Sequence, residues 1–108
     1  MNRKSVSLTA SENLRVALSS GNAVLVQLKG TGFTGSVDFK SSTDGSTWAN
    51  HPYEPVRAVA PVPTVAQIAS VTTATLYLLR APVLMCRIDC VVSAGTLAVV
   101  YRELIVGN

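Results

Sequence analysis

Charge is scarce in this chain of 108 residues: Asp, Glu, Lys and Arg together make up 14% of it. Aromatic residues are rarer still at 6%, with one Trp, and there is one His and two Cys. Each shortage excludes something. A single histidine with scattered carboxylates leaves little from which to build a catalytic or metal centre. Asp38, Asp44 and Glu54 are too few and too far apart for a calcium loop. Gly30-Thr31-Gly32 with Gly35 is followed by no Gly-Lys-Ser/Thr, so it is no phosphate loop. No run approaches the ~20 apolar residues of a membrane helix, and residues 5–13 form no apolar core of a secretory signal. The expectation is therefore no enzyme, no cofactor, no metal and no membrane partner.

The charge that exists is weakly basic, nine cations against six anions. Along the chain these cations are dispersed, and only Arg3 and Lys4 adjoin. A nucleic-acid surface usually declares itself as a cluster or stripe with interleaved aromatics, so direct nucleic-acid binding is not expected. Cys86 and Cys90 are four residues apart. That is ~13 Å along a regular strand, beyond the ~7 Å that a disulfide allows. Both share a face with Ile88 and Val92, which points to buried free thiols.

What is plentiful is apolar residues, at 48%, arranged with a period of two. Val37, Phe39 and Ser41 alternate with Asp38, Lys40 and Ser42. Leu14, Val16 and Leu18 alternate with Arg15, Ala17 and Ser19. Cys86, Ile88, Cys90 and Val92 alternate with Met85, Arg87, Asp89 and Val91, and the same beat runs through 96–105. This is the pattern of half-buried strands. Turn residues cut it at Ser20-Gly21-Asn22, Gly30-Thr31-Gly32, Asp44-Gly45 and Ser93-Ala94-Gly95. Helical spacing is confined to two short stretches, 10–14 and 65–70. The pattern predicts an all-β protein: an antiparallel β-sandwich or jelly roll of about eight short strands. One such domain spans 11–108, and residues 1–10 are a flexible N-terminal arm.

Asp44-Gly45 suits a tight hairpin, since Gly accepts positive φ and Asp can bond its own backbone. Trp48 follows three residues later. Its expected role is structural: the ring packs on the sheet and the indole N–H finds a carbonyl. His51, Ser46 and Asp44 are the right types for a nucleophilic triad, but turn chemistry explains them without one. Pro52, Pro55, Pro61 and Pro63 mark an edge or a loop. There Tyr53, Val56, Arg57 and Val59 offer contacts at low ordering cost, and Arg3 and Lys4 offer more on the arm.

The phrases Val37-Asp38-Phe39-Lys40-Ser41-Ser42-Thr43-Asp44-Gly45-Ser46-Thr47-Trp48, Leu76-Tyr77-Leu78, Met85-Cys86-Arg87-Ile88 and Gly95-Thr96-Leu97-Ala98-Val99 together resemble small β-sandwich virion proteins of tailed bacteriophages. That resemblance implies a structural protein located in the virion after assembly in the host cytoplasm. A capsid decoration protein on the major capsid protein is the leading form, with head-fibre or tail-associated proteins as alternatives. It also implies a homo-oligomer, with a trimer favoured, which suits an apolar content above the needs of one small core. The Asp-Gly-x-x-Trp phrase is in addition similar to galactose-binding jelly rolls, which makes carbohydrate a second possible partner.

Overall fold

The computed structural model describes residues 3–18, 21–56, 67–69, 71, 73–80 and 85–105. Eight strands form one antiparallel sheet: β1 (Arg3–Leu8), β2 (Glu12–Ala17), β3 (Ala23–Ser42), β4 (Ala49–Asn50), β5 (Glu54–Pro55), β6 (Ile68–Ala69), β7 (Thr75–Arg80) and β8 (Met85–Leu104). The all-β expectation holds, and no helix occurs among the described residues. Of the two stretches with helical spacing, 10–14 runs into β2. The part of 65–70 that is described holds β6.

The strands are not all short. β3 and β8 are 20 residues each and pair with each other along their length, from Ala23↔Leu104 to Ser42↔Met85. The breaks expected at Gly30-Thr31-Gly32 and Ser93-Ala94-Gly95 are bends inside these strands. The register is irregular between Thr31 and Gly35. The inward positions record the bend. In β3, Val24, Val26 and Leu28 are buried before it, and Phe33, Val37 and Phe39 after it. In β8, Cys86, Ile88 and Cys90 give way to Leu97 and Val99. A regular strand keeps one parity inward, so each change marks an extra residue taken up by a bulge.

Glycine makes the bend possible. Gly95 has φ +76°, and a Cβ there would overlap the Gly32 carbonyl oxygen. The two long strands therefore touch backbone to backbone at the crease, which requires glycine at 95, while Gly32 has open space for a side chain and supplies a φ of +58°.

The crease divides the sheet into halves. In the first, β1, the C-terminal part of β8, the N-terminal part of β3, β7 and β5 lie in order. In the second, β2 flanks the N-terminal part of β8, and the C-terminal part of β3 carries β4 and β6. The halves close on each other. Phe39 belongs to the second half and Tyr77 to the first, yet their ring centroids are 5.9 Å apart. Leu28, Leu79, Ile88 and Leu97 are fully buried in one core shared by both halves, each contributing roughly 1.5–3 kcal/mol on burial. The sandwich is thus a single sheet folded over.

Residues 3–8, expected in an arm, are instead strand β1, paired with β8 from Arg3↔Arg102 to Leu8↔Leu97. Their polar composition misled because Arg3, Ser5 and Ser7 point outward. Val6 packs against the core and Leu8 is buried in it. Cys86 and Cys90 are buried free thiols, and burial pushes both up to about 12.

Candidate functional site

Inward positions are fixed by burial, so chemistry is left to the outward ones. In the second half the outward residues fall in two cross-strand rows. Arg15 lies opposite Arg87, Arg87 opposite Lys40, and Lys40 opposite Asn50. The neighbouring row is Asn13, Asp89 and Asp38. Cations far apart in sequence are thereby lined up side by side. Like charges directly opposite each other cost roughly 0.2–1 kcal/mol per pair, and the surroundings offset part of this. Arg87 is clamped by Asp89, with Nε to Oδ1 at 2.6 Å and Nη2 to Oδ2 at 2.9 Å. Lys40 Nζ donates to Asn50 Oδ1 at 2.8 Å.

Trp48 lies across the first two cations. The guanidinium carbons of Arg87 and Arg15 are 4.6 Å and 5.4 Å from its ring centroid, within cation–π range. The hairpin before it is built to hold it. The Asp44 carboxylate accepts from the backbone N–H of Ser46 at 2.9 Å and Thr47 at 2.8 Å, and from the Ser42 hydroxyl at 3.0 Å. Ser42 Oγ in turn accepts from Gly45 N–H at 2.8 Å. The bonds from Thr47 and Ser46 hold the Asp44 carboxyl well below the usual carboxylate range. Gly45 supplies φ +80°.

The expected tight turn is longer than two residues. Ser41 pairs with Ala49, so the connection runs through 42–48 and Asp44-Gly45 shapes only its first part. The Trp48 ring lies on the sheet, over Arg15 of β2 and Arg87 of β8. It is half-buried on the outer face, outside the core cluster. The aromatic residue of this region that enters the core is Tyr53, which is 7% exposed. The Tyr53 ring meets Phe39 at 5.2 Å and Tyr77 at 5.3 Å, both edge-on. Tyr53 is therefore a core residue and not a surface contact.

Among the other candidates, Arg3 and Lys4 are exposed on β1, and Val56 is 45% exposed. Arg57 and Val59 lie outside the described residues. His51 is held at both ring nitrogens, by Ser41 Oγ at 3.0 Å and the Arg80 carbonyl at 3.0 Å. A carbonyl only accepts, so Nε2 is the donor to Arg80. His51 thus ties the chain just past β4 to β3 and β7, and its hydroxyl partner is Ser41 and not Ser46. Among the described residues, no group of three His, Cys, Asp or Glu is placed to hold a metal ion.

The first half presents a different outer face. Leu25, Leu76, Leu78 and Val100 are half-exposed there, alternating with the buried Val24, Val26, Tyr77, Leu79 and Val99. Arg3 and Arg102 are paired at its margin, and a shallow depression of about 200 Å³ runs between them and Leu76. Sequence reading missed Arg15, Lys40 and Arg87 as a group. Each sat at an outward position of a recognised alternation, but only the register shows that they meet.

No protein-family model matches the chain, and no curated protein matches it in sequence. Among solved structures the chain is similar to the SPBc2 prophage-derived protein YomS. The TM-score is 0.68 with 9% sequence identity, over 94% of this chain and 93% of that one. At that identity the likeness is one of fold: the folded-over sheet is shared nearly end to end.

Proposed function

We propose that this chain is a structural protein of a tailed-phage virion that docks on assembled coat as a capsid decoration protein. The observation that carries this reading is the fold, which nearly the whole chain shares with a protein of prophage origin. The two outer faces support it. A protein with one charged outer face, and another that is aliphatic at its centre with Arg3, Arg102 and the Arg80–Glu54 pair at its margins, suits two kinds of neighbour, the shell and its own copies. The reading makes it a binding protein without catalysis, working as a homo-oligomer, with a trimer favoured. Binding the assembled state and not free subunits would stabilise the shell by mass action.

The test is co-sedimentation with shells assembled without the protein, followed by heating. The expected result is saturable binding and a raised temperature of shell disruption. Absence of binding to shells overturns the reading. Labelling at tails or head fibres moves the protein to one of those positions, and binding to a glycan array alone replaces the reading with a sugar-binding module.

A further inference from the structure

We propose that the outward row Arg15–Arg87–Lys40, with Trp48 laid across it, is the surface that receives an acidic segment of a protein partner. This deepens the docking reading and rests on it. Three of the nine basic residues stand in this one row, in a chain that carries little charge. The row opposes folding, because like charges face each other across adjacent strands. A bound carboxylate would relieve that repulsion.

The three cations are not equivalent. Arg87 is engaged: its side chain is only 18% exposed, forked on Asp89 and roofed by Trp48. It serves as the foundation. Arg15 is exposed, and among the described residues no carboxylate pairs with it. Lys40 is bonded to the neutral Asn50. The charge of these two is unspent. They sit two strands apart, ~10 Å between backbones. Alternate side chains of an extended acidic segment are ~7 Å apart, a gap that the long Arg and Lys stems can close. Between them is Trp48, held by the Asp44 hairpin. A half-buried Trp beside Arg is the composition of an interface hot spot.

The same geometry disfavours a phosphate chain. The adjacent row carries Asp89 and Asp38. A nucleic-acid backbone extending past the cations would run over these carboxylates, whereas a short run of acidic side chains ends within the row. Strong phosphate binding also draws on many cations at once.

Trp48 is the only tryptophan, so its emission reports on this face directly. The full-length protein is titrated with oligoglutamate, oligoglutamine, oligothymidine and heparin, at salt from about 50 to about 500 mM. Oligoglutamate is expected to shift Trp48 emission saturably and to weaken as salt rises; oligoglutamine is expected to do nothing. The Arg15→Glu, Lys40→Glu double variant should weaken oligoglutamate by at least about tenfold. Arg102→Glu, on the opposite outer face, should leave it unchanged. Arg15→Gln with Lys40→Gln is the milder pair, used if charge reversal lowers the melting midpoint. Equal binding of oligoglutamine, or no effect of either pair, overturns the proposal. Tighter binding of oligothymidine or heparin that both pairs abolish also overturns it, and assigns the face to a polyanion. Co-sedimentation separates the two readings. If wild type and double variant bind shells equally, this face falls and docking stands. If wild type does not bind shells, docking falls and the oligoglutamate titration alone decides the face.

Discussion

The two outer faces of this sheet are made by the same strands under the same rule, yet they came out opposite in chemistry. On one side of the crease β3 and β8 show Lys40, Asp38, Arg87 and Asp89 to the outside; on the other they show Leu25, Gln27, Val100 and Arg102. Behind both is one continuous core. The charged face is held by its own contacts: a bidentate ion pair, two cation–π contacts and a bonded hairpin. Among the described residues the aliphatic face has one ion pair, Arg80 with Glu54 at 2.6 Å, at its β7–β5 edge, and no cation–π contact. Burial constrains the inward residues of both halves alike, so the outward residues were free to specialise. The glycine crease is what lets one strand serve two such faces.

Breaking the crease should therefore have the largest effect. In Gly95→Val the side chain would overlap the Gly32 backbone at a φ that valine avoids. The expected cost is more than about 4 kcal/mol, from strain plus lost contact between the halves. Circular dichroism and a thermal melt check it; a cooperative melt near the wild-type midpoint would show that the strands can bend without glycine there. Next comes Tyr53→Ala. It removes one ring of the Phe39–Tyr53–Tyr77 group that joins the halves, at a cost of about 3 kcal/mol by denaturant unfolding.

The inward half of this architecture was legible in sequence, and the outward half was not. Alternation around Val37-Asp38-Phe39 or Cys86-Arg87-Ile88 gives the buried face correctly because burial acts residue by residue. The crease was misread as two loops. Glycine with polar neighbours punctuates a turn and a bulge in the same way, and only pairing on both sides tells them apart. The arm was misread for a related reason, since an edge strand with one apolar face six residues long offers just Val6 and Leu8 as signal. Tyr53, read as a surface contact, lies in the core. Proline marked Tyr53 as a loop residue, but Pro55 sits in β5, whose Glu54 pairs with Leu78 of β7, and that carries the ring inward. The cation row was invisible for the deepest reason: Arg15, Lys40 and Arg87 are adjacent only through register.

The core behind the charged face can be probed by pH. Burial raises both thiols from an ordinary 9.0 to about 12. The unfolded chain then ionises its cysteines before the native one does. Their contribution to stability is complete below pH 9 and declines as pH climbs toward 12. Tyr53, Tyr77 and Tyr101, also raised by burial, add to the fall only from about pH 10 upward. Urea melts across that range check this; in a Cys86→Ala, Cys90→Ala variant the decline should begin near pH 10 and not near pH 9.

Trp48→Ala tests the charged face without touching the core. The ring is half-buried and rests on two guanidinium groups, so its loss should cost about 1.5 kcal/mol, roughly half of the Tyr53 effect. Chemical denaturation of the two variants side by side decides the ranking. A loss from Trp48→Ala as large as that from Tyr53→Ala would mean that the hairpin supports the fold itself and is more than a covering of the outer face.

The smallest effect on the folded chain, and the sharpest on the comparison, is expected on the aliphatic side. Leu25 and Leu78 are cross-strand neighbours on the outer face of the first half, half-exposed in the single chain. Replacing both with Thr keeps a branched, strand-favouring side chain in each place. The cost to the isolated subunit should stay below about 1 kcal/mol, because little buried area is lost. Self-association should respond very differently. If copies meet through this face, each interface loses both leucines from its centre, where truncations cost most. Sedimentation velocity over a concentration series should then show the wild type as an oligomer and the double variant as a monomer. The Arg15→Glu, Lys40→Glu pair should retain the wild-type assembly state. The reverse outcome, assembly lost with the charged face and kept without the leucines, would exchange the roles of the two faces.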